Sequence, residues 1–227
     1  MDILTLVIIT AVISLSCSIS VFLMYKLKFQ ESGILSWVLG SFSISCALFL
    51  FTLRGRVPDL ISIVTANLLI TYGFAFIWHG MRRFIGRISM LKTTLTVPVL
   101  IVPVMYWFSA VDPVLWIRII AASLFIAIFS GATFFELYRD RSLNEPVARN
   151  YLGILFFLNT SVFILRALIT SIQQGTGAFL FSGHITTFTF IWTAVFFVGL
   201  TSGMVLMISE RLRAQQRQTA LALKESN

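Results

Sequence analysis

Charge is scarce in this chain of 227 residues: 11% are Asp, Glu, Lys or Arg, where a soluble domain carries about a quarter. With 58% hydrophobic residues, that scarcity excludes an ordinary water-soluble globule and a disordered chain. Cysteine is almost missing. Cys17 and Cys46 both fall inside apolar runs and read as small buried hydrophobes, which excludes a disulfide-rich secreted module. The only two histidines, His79 and His184, fall at opposite membrane surfaces, so they cannot share one haem or metal ion. No Gly-rich phosphate loop, Ser/His/Asp set or carboxylate pair stands on a loop long enough to hold it. The chain as given therefore reads as non-enzymatic, with no cofactor and no metal expected. The last apolar run lacks the lysine that a retinal Schiff base needs. The N-terminus lacks a basic segment, so the first run reads as a retained span and not a cleaved signal peptide.

What the chain has in abundance is apolar runs of membrane length, given about 20 residues per crossing. Seven occur: Ile3–Met24, Ile34–Leu53, Leu60–Met81, Thr93–Ala110, Val114–Leu137, Tyr151–Ile172 and Thr186–Ile208. They predict an all-α fold, a polytopic bundle of seven transmembrane helices. Thirteen basic residues fall in the loops of one side, among them Arg82, Arg83, Arg87, Arg139, Arg211 and Arg213, and only Arg54 and Arg56 in the loops of the other. By the positive-inside rule the N-terminus is outside and the C-terminus cytoplasmic. The net charge of +8 then meets membrane lipid headgroups, and nucleic acid is not an expected partner. In the fourth span Pro98 and Pro103 predict an irregular helix. In the second, Ser36, Gly40, Ser43 and Ala47 form one small-residue face suited to close packing. Trp37, Trp78, Trp107, Trp116 and Trp192 read as interfacial belt residues by default, and the 22 Phe as lipid-facing and core packing.

Polar groups at membrane depth are costly and need a reason. In the sixth span Asn159, Arg166, Thr170 and Gln173 are spaced to share one face. Arg166 falls in its outer half. Arg118 lies one turn below the outer surface in the fifth span, Asn67 and Thr71 share a stripe of the third, and Arg54 and Arg56 cap the second. Two readings stay open. In one, Arg54 or Arg56 pairs with Asp59, and Arg118 with Asp112, as structural staples. In the other, arginines with Asn67 and Asn159 line an outward-facing cavity for a small anionic or strongly hydrogen-bonding ligand, since guanidinium matches a carboxylate in a fork. The candidate ligand-binding residues are thus Arg54, Arg56, Asn67, Arg118, Asn159 and Arg166. Glu136, at the inner end of the fifth span, reads as a structural partner of Arg82, Arg83 or Arg139.

After the last span, residues 209–227 contain no Gly or Pro and are rich in helix formers, so the seventh helix is expected to continue into the cytoplasm. Val205, Ile208, Leu212, Gln215, Thr219 and Ala222 follow an alternating spacing of 3 and 4, a heptad seam with polar members. It reads either as a solvated amphipathic tail or as the start of a parallel two-helix connector that makes a homodimer, with Leu212, Gln215 and Thr219 as signalling positions. No helix-ending signal precedes Asn227, which implies that the natural protein continues.

Two stretches carry a resemblance. Leu53-Arg-Gly-Arg-Val-Pro-Asp-Leu-Ile-Ser-Ile-Val-Thr-Ala-Asn67 followed by Gly80-Met-Arg-Arg-Phe-Ile-Gly-Arg87, and Ser209-Glu-Arg-Leu-Arg213, resemble the N-terminal multi-span sensor region of bacterial GGDEF-type diguanylate cyclases. Related regions precede histidine kinases. The matching positions are Arg54, Arg56, Pro58, Asn67, Arg82, Arg83 and Gly86. The chain reaches Asn227 without a GGDEF domain. The resemblance implies a signal-input module in a bacterial inner membrane: residues 1–208 a sensor and 209–227 an exit helix controlling an output domain, a cyclase that makes cyclic di-GMP or, alternatively, a histidine kinase. A competing function, transporter or channel, would need polar residues to continue to the inner side. The inner half of the sixth span, Leu152–Leu158, is almost wholly apolar.

Overall fold

The computed structural model describes residues 3–26, 33–53, 55–58, 60–139, 146–176 and 182–226. Among these there is no β-strand, and seven helices are long and apolar enough to cross a membrane. They are α1 (Ile3–Lys26), α2 (Ile34–Thr52), α3 (Ile61–Phe84), α4 (Leu91–Val111), α5 (Leu115–Arg139), α6 (Pro146–Thr176) and α7 (Ser182–Ser226). Each predicted span corresponds to one helix. The largest extension is α7, which runs unbroken for 45 residues.

These helices keep their polar side chains at low cost by turning them on their own backbone. Thr10, Ser18, Ser45, Thr133 and Thr189 each donate to the carbonyl four residues back, at 2.7–2.9 Å. A hydroxyl used this way asks nothing of lipid. The prolines break α4 as expected: a 3-10 turn over Val97–Leu100 and a π turn over Trp107–Val111 interrupt it.

Contacts between neighbours close a ring in the order α1, α2, α3, α5, α6, α7 and back to α1, while α4 packs outside it against α3 and α5. Glycines let α2 and α3 approach closely. A Cβ added at Gly40 would lie 2.7 Å from the Gly73 carbonyl oxygen, and one at Gly80 would lie 2.4 Å from Trp37. Gly40 and Ala47 of the predicted small-residue face are buried, whereas Ser36 and Ser43 are half-buried. On the other side of α2, Ser45 meets Ser18 of α1 hydroxyl to hydroxyl at 2.9 Å.

Two expectations from composition need correction. Trp37 and Trp78 are core residues and not belt anchors: Trp37 is stacked on Phe84 at 5.1 Å, and Trp78 packs on Phe129 at 6.0 Å. Both sit where α2 or α5 covers α3, so the ring places them inward. Trp107 and Trp116 are exposed as a belt residue would be. Cys46 is exposed and not buried, because it falls on the outward face of α2, and Cys17 is half-buried. Both thiols are free.

Candidate functional site

Leu4 and Val7 from the start of α1, Phe51 from the end of α2, Ile63 from the start of α3, Leu115 from the start of α5, Arg166 from the second half of α6 and Thr186 from the start of α7 surround one cavity of about 450 Å³. Helices α1, α3, α5 and α7 therefore begin at the cavity while α2 and α6 end there, and the cavity belongs to the face of the ring where α1 begins, the N face. All six ring helices contribute to it and α4 does not. Its volume is within the range of small-molecule sites, about 300–1,000 Å³.

Most of the lining is apolar, with Ile44, Ile70, Phe74, Ile126, Phe163 and Phe190 towards the inside of the bundle. The polar groups are Asn67, Arg118, Arg166, Thr186, Thr189 and Thr193. Several of their donors are already used. Thr189 and Thr193 donate to the carbonyls of Ile185 and Thr189, each at 2.7 Å. The Asn67 amide donates to the Ile63 carbonyl at 2.8 Å, in the π turn of Ile61–Thr65 that opens α3. Arg118 donates to the Ser109 hydroxyl of α4 at 3.1 Å, which ties the outlying helix to the ring. Among the described residues, the Arg166 guanidinium makes no hydrogen bond or ion pair.

Of the six candidate residues, the structure brings Asn67, Arg118 and Arg166 together. Arg56 is exposed in the turn after α2 and does not line the cavity. Arg54 and Asp59 lie outside the described residues, and with them the staple to Asp59. Of the groups in the second staple, Asp112 is exposed and Arg118 donates to Ser109. Asn159 is a correction. It is fully buried below the cavity, donates to Ser130 of α5 at 2.8 Å and accepts from the Trp192 indole of α7 at 2.9 Å. It joins three helices and is not a cavity group. Thr170 and Gln173 share its predicted face but do not line the cavity either.

Beneath this node the bundle interior is aromatic. Phe196 touches Phe74 at 5.9 Å, Phe156 at 5.5 Å and Phe197 at 6.0 Å. Below that, at the opposite C face, polar groups return. Glu136 of α5 is held by Arg82 and by Arg87, the latter at 3.0 Å. Arg82 was an expected partner. Arg87 was not, and a local turn brings it there. Gly86 takes a positive φ of 77°, the Gly86 amide bonds Arg83 O and the Arg87 amide bonds Arg82 O, which ends α3 in a Schellman turn. His79 is bracketed by Ser36 at 3.1 Å and Ser89 at 2.9 Å, a structural pairing.

The start of the exit segment is also anchored here. Arg211 donates to the Phe84 carbonyl at the end of α3 at 2.8 Å and lies 4.7 Å above the Phe84 ring. Glu210 accepts from the Ala148 amide in the first turn of α6 at 3.3 Å. Sequence reasoning singled out neither contact, although both residues belong to the Ser209–Arg213 stretch. Leu212 packs against the core edge, and Gln215 and Thr219 are exposed on the helix beyond it. No protein-family model matches this chain, and no curated protein or solved structure is found to be similar to it.

Proposed function

We propose that this chain is the sensory membrane domain of a bacterial signalling receptor. It takes up a small anionic or polar ligand, extracytoplasmic or membrane-borne, in the N-face cavity and passes the event to a cytoplasmic output domain through α7. One observation carries this reading: α7 supplies Thr186, Thr189, Phe190 and Thr193 to the cavity wall and continues without a break to Ser226. A ligand that prefers one placement of α7 shifts the population of that placement, and a continuous helix moves at both ends together. Arg166 supports an anionic ligand, because a guanidinium in an apolar cavity is stabilised by an acceptor that carries charge. The loop charges support a periplasmic cavity and a cytoplasmic exit in the inner membrane. The resemblance at Ser209–Arg213 supports a diguanylate cyclase as output, acting as a homodimer through the exit helix. The sealed aromatic interior around Phe196 disfavours a transport path.

The test is a phase experiment. A diguanylate cyclase catalytic domain is joined after the exit helix, and one, four or seven residues are inserted after Thr219. One residue turns the helix by about 100° and seven make nearly two whole turns. Cyclic di-GMP output changes with one or four inserted residues and returns with seven. Output indifferent to phase, or flux of small anions through vesicles carrying the chain, overturns the receptor reading.

A further inference from the structure

The N-face cavity is chemically divided, and the division specifies more than an anion. The hydroxyl hydrogens of Thr189 and Thr193 are turned onto the α7 backbone, the Asn67 amide donates to Ile63, and Arg118 already bonds Ser109. Two guanidiniums line the cavity: Arg118 is tied to Ser109, and that of Arg166 makes no hydrogen bond or ion pair among the described residues. Phe163, one turn along the same face of α6, and Phe74, Ile126 and Phe190 surround it with apolar surface. A small hydrophilic anion such as phosphate would leave that surface wetted or empty. A neutral lipid chain would leave Arg166 without an acceptor, which is costly for a charged group away from water. A molecule with one carboxylate and one apolar tail satisfies both.

From this we infer that the cavity is a binding site for an amphipathic monocarboxylate, an acyl or similarly tailed acid whose head is forked by Arg166 and whose tail lies among Phe74, Ile126, Phe163 and Phe190. The inference rests on the receptor reading for its use, but not for its chemistry. Arg166 provides charge and geometry, and the apolar wall sets tail length and excludes a second charge. A dicarboxylate of the same length is rejected, because its far end would carry an ion into the apolar part of the site.

The test reads binding alone. The full 227-residue chain is placed in phosphatidylcholine nanodiscs, and decanoate, decanol, decanedioate and acetate are titrated against tryptophan fluorescence. Decanoate binds about tenfold or more tighter than decanol, the scale of one charge-assisted fork. Decanedioate and acetate both bind more weakly than decanoate. Arg166→Met, an apolar replacement that keeps the packing, removes the preference for decanoate over decanol. Arg166→Lys keeps part of it, and Phe163→Ala weakens both tailed ligands together. Equal affinity for decanoate and decanol in the unaltered chain, or full decanoate binding by Arg166→Met, overturns the proposal. Acetate or decanedioate binding as well as decanoate overturns the amphipathic class while leaving an anion receptor in place. Phase-independent output in the preceding experiment defeats the receptor and leaves these affinities untouched.

Discussion

Glu210 and Arg211, neighbours in the chain, grip helix ends of opposite polarity. Glu210 accepts from an amide at the start of α6, and Arg211 donates to a carbonyl at the end of α3. Each charge matches the partial charge of the terminus it meets, positive at the start of a helix and negative at its end. The exit segment is thus clipped to two non-adjacent members of the ring just before it leaves the bundle.

Removing that clip loosens the exit helix without touching the cavity. Arg211→Ala loses a charged hydrogen bond and a ring contact at a half-buried site and destabilises the bundle by about 1 kcal/mol. The expected signature is a small fall in melting temperature in nanodiscs, unchanged ligand affinity, and a shifted basal output in a receptor fusion. Unshifted basal output would mean that the clip has no part in transmission.

Glu136 is the only carboxylate paired with Arg82 and Arg87 among the described residues. Glu136→Gln strands two cations and costs about 3 kcal/mol, as expected when one partner of a buried pair is removed. Arg82→Gln combined with Glu136→Gln costs less than the sum of the two single changes, because both single changes lose the same Arg82–Glu136 pair, which the double variant loses once. Thermal unfolding of the four species checks this, and additive losses would show that the groups act separately.

Asn159 serves Trp192 and Ser130 together, so Asn159→Leu leaves a buried indole N–H unsatisfied and costs about 1–2 kcal/mol. A Trp192→Phe change added to it removes the orphan, and the double variant is no less stable than Asn159→Leu. Melting temperatures decide the matter: a clearly less stable double variant contradicts the assignment.

The glycines on either side of the α2–α3 seam differ from others in the fold by what surrounds them. Gly40→Ala places a methyl against the Gly73 carbonyl and forces α2 from α3, with a loss of about 1–3 kcal/mol. Gly153→Ala, with nothing within 4 Å of the added atom, is neutral or slightly stabilising. Comparing the two melting temperatures tests whether the seam and not helix propensity governs the response.

Hydropathy made the seven spans legible, because the need to bury apolar length acts one helix at a time. Helical spacing also singled out Asn67, Arg118 and Arg166, which line one cavity. The same spacing put Asn159 and Arg166 on one face, correctly as geometry. Seven residues turn a helix to only about 20° short of two full turns but advance it by about 10 Å. Over that distance the surroundings change from packed neighbours, Ser130 and Trp192, to an open chamber. Which helices touch was not legible, since the closing α1–α7 contact joins the two ends of the chain. Nor was the pairing of Arg87 with Glu136, because it depends on a left-handed residue at Gly86 and not on any periodicity.

The exclusion of α4 from the ring divides tolerance to change unevenly over the chain. Residues on six staves answer to one another across a common hollow, so altering any of them reshapes what the hollow admits. The outlying helix is a splint on two staves, and none of its residues lines that hollow. Drift, insertions and bulky labels are best placed along it, where a probe can report on the molecule without entering its business.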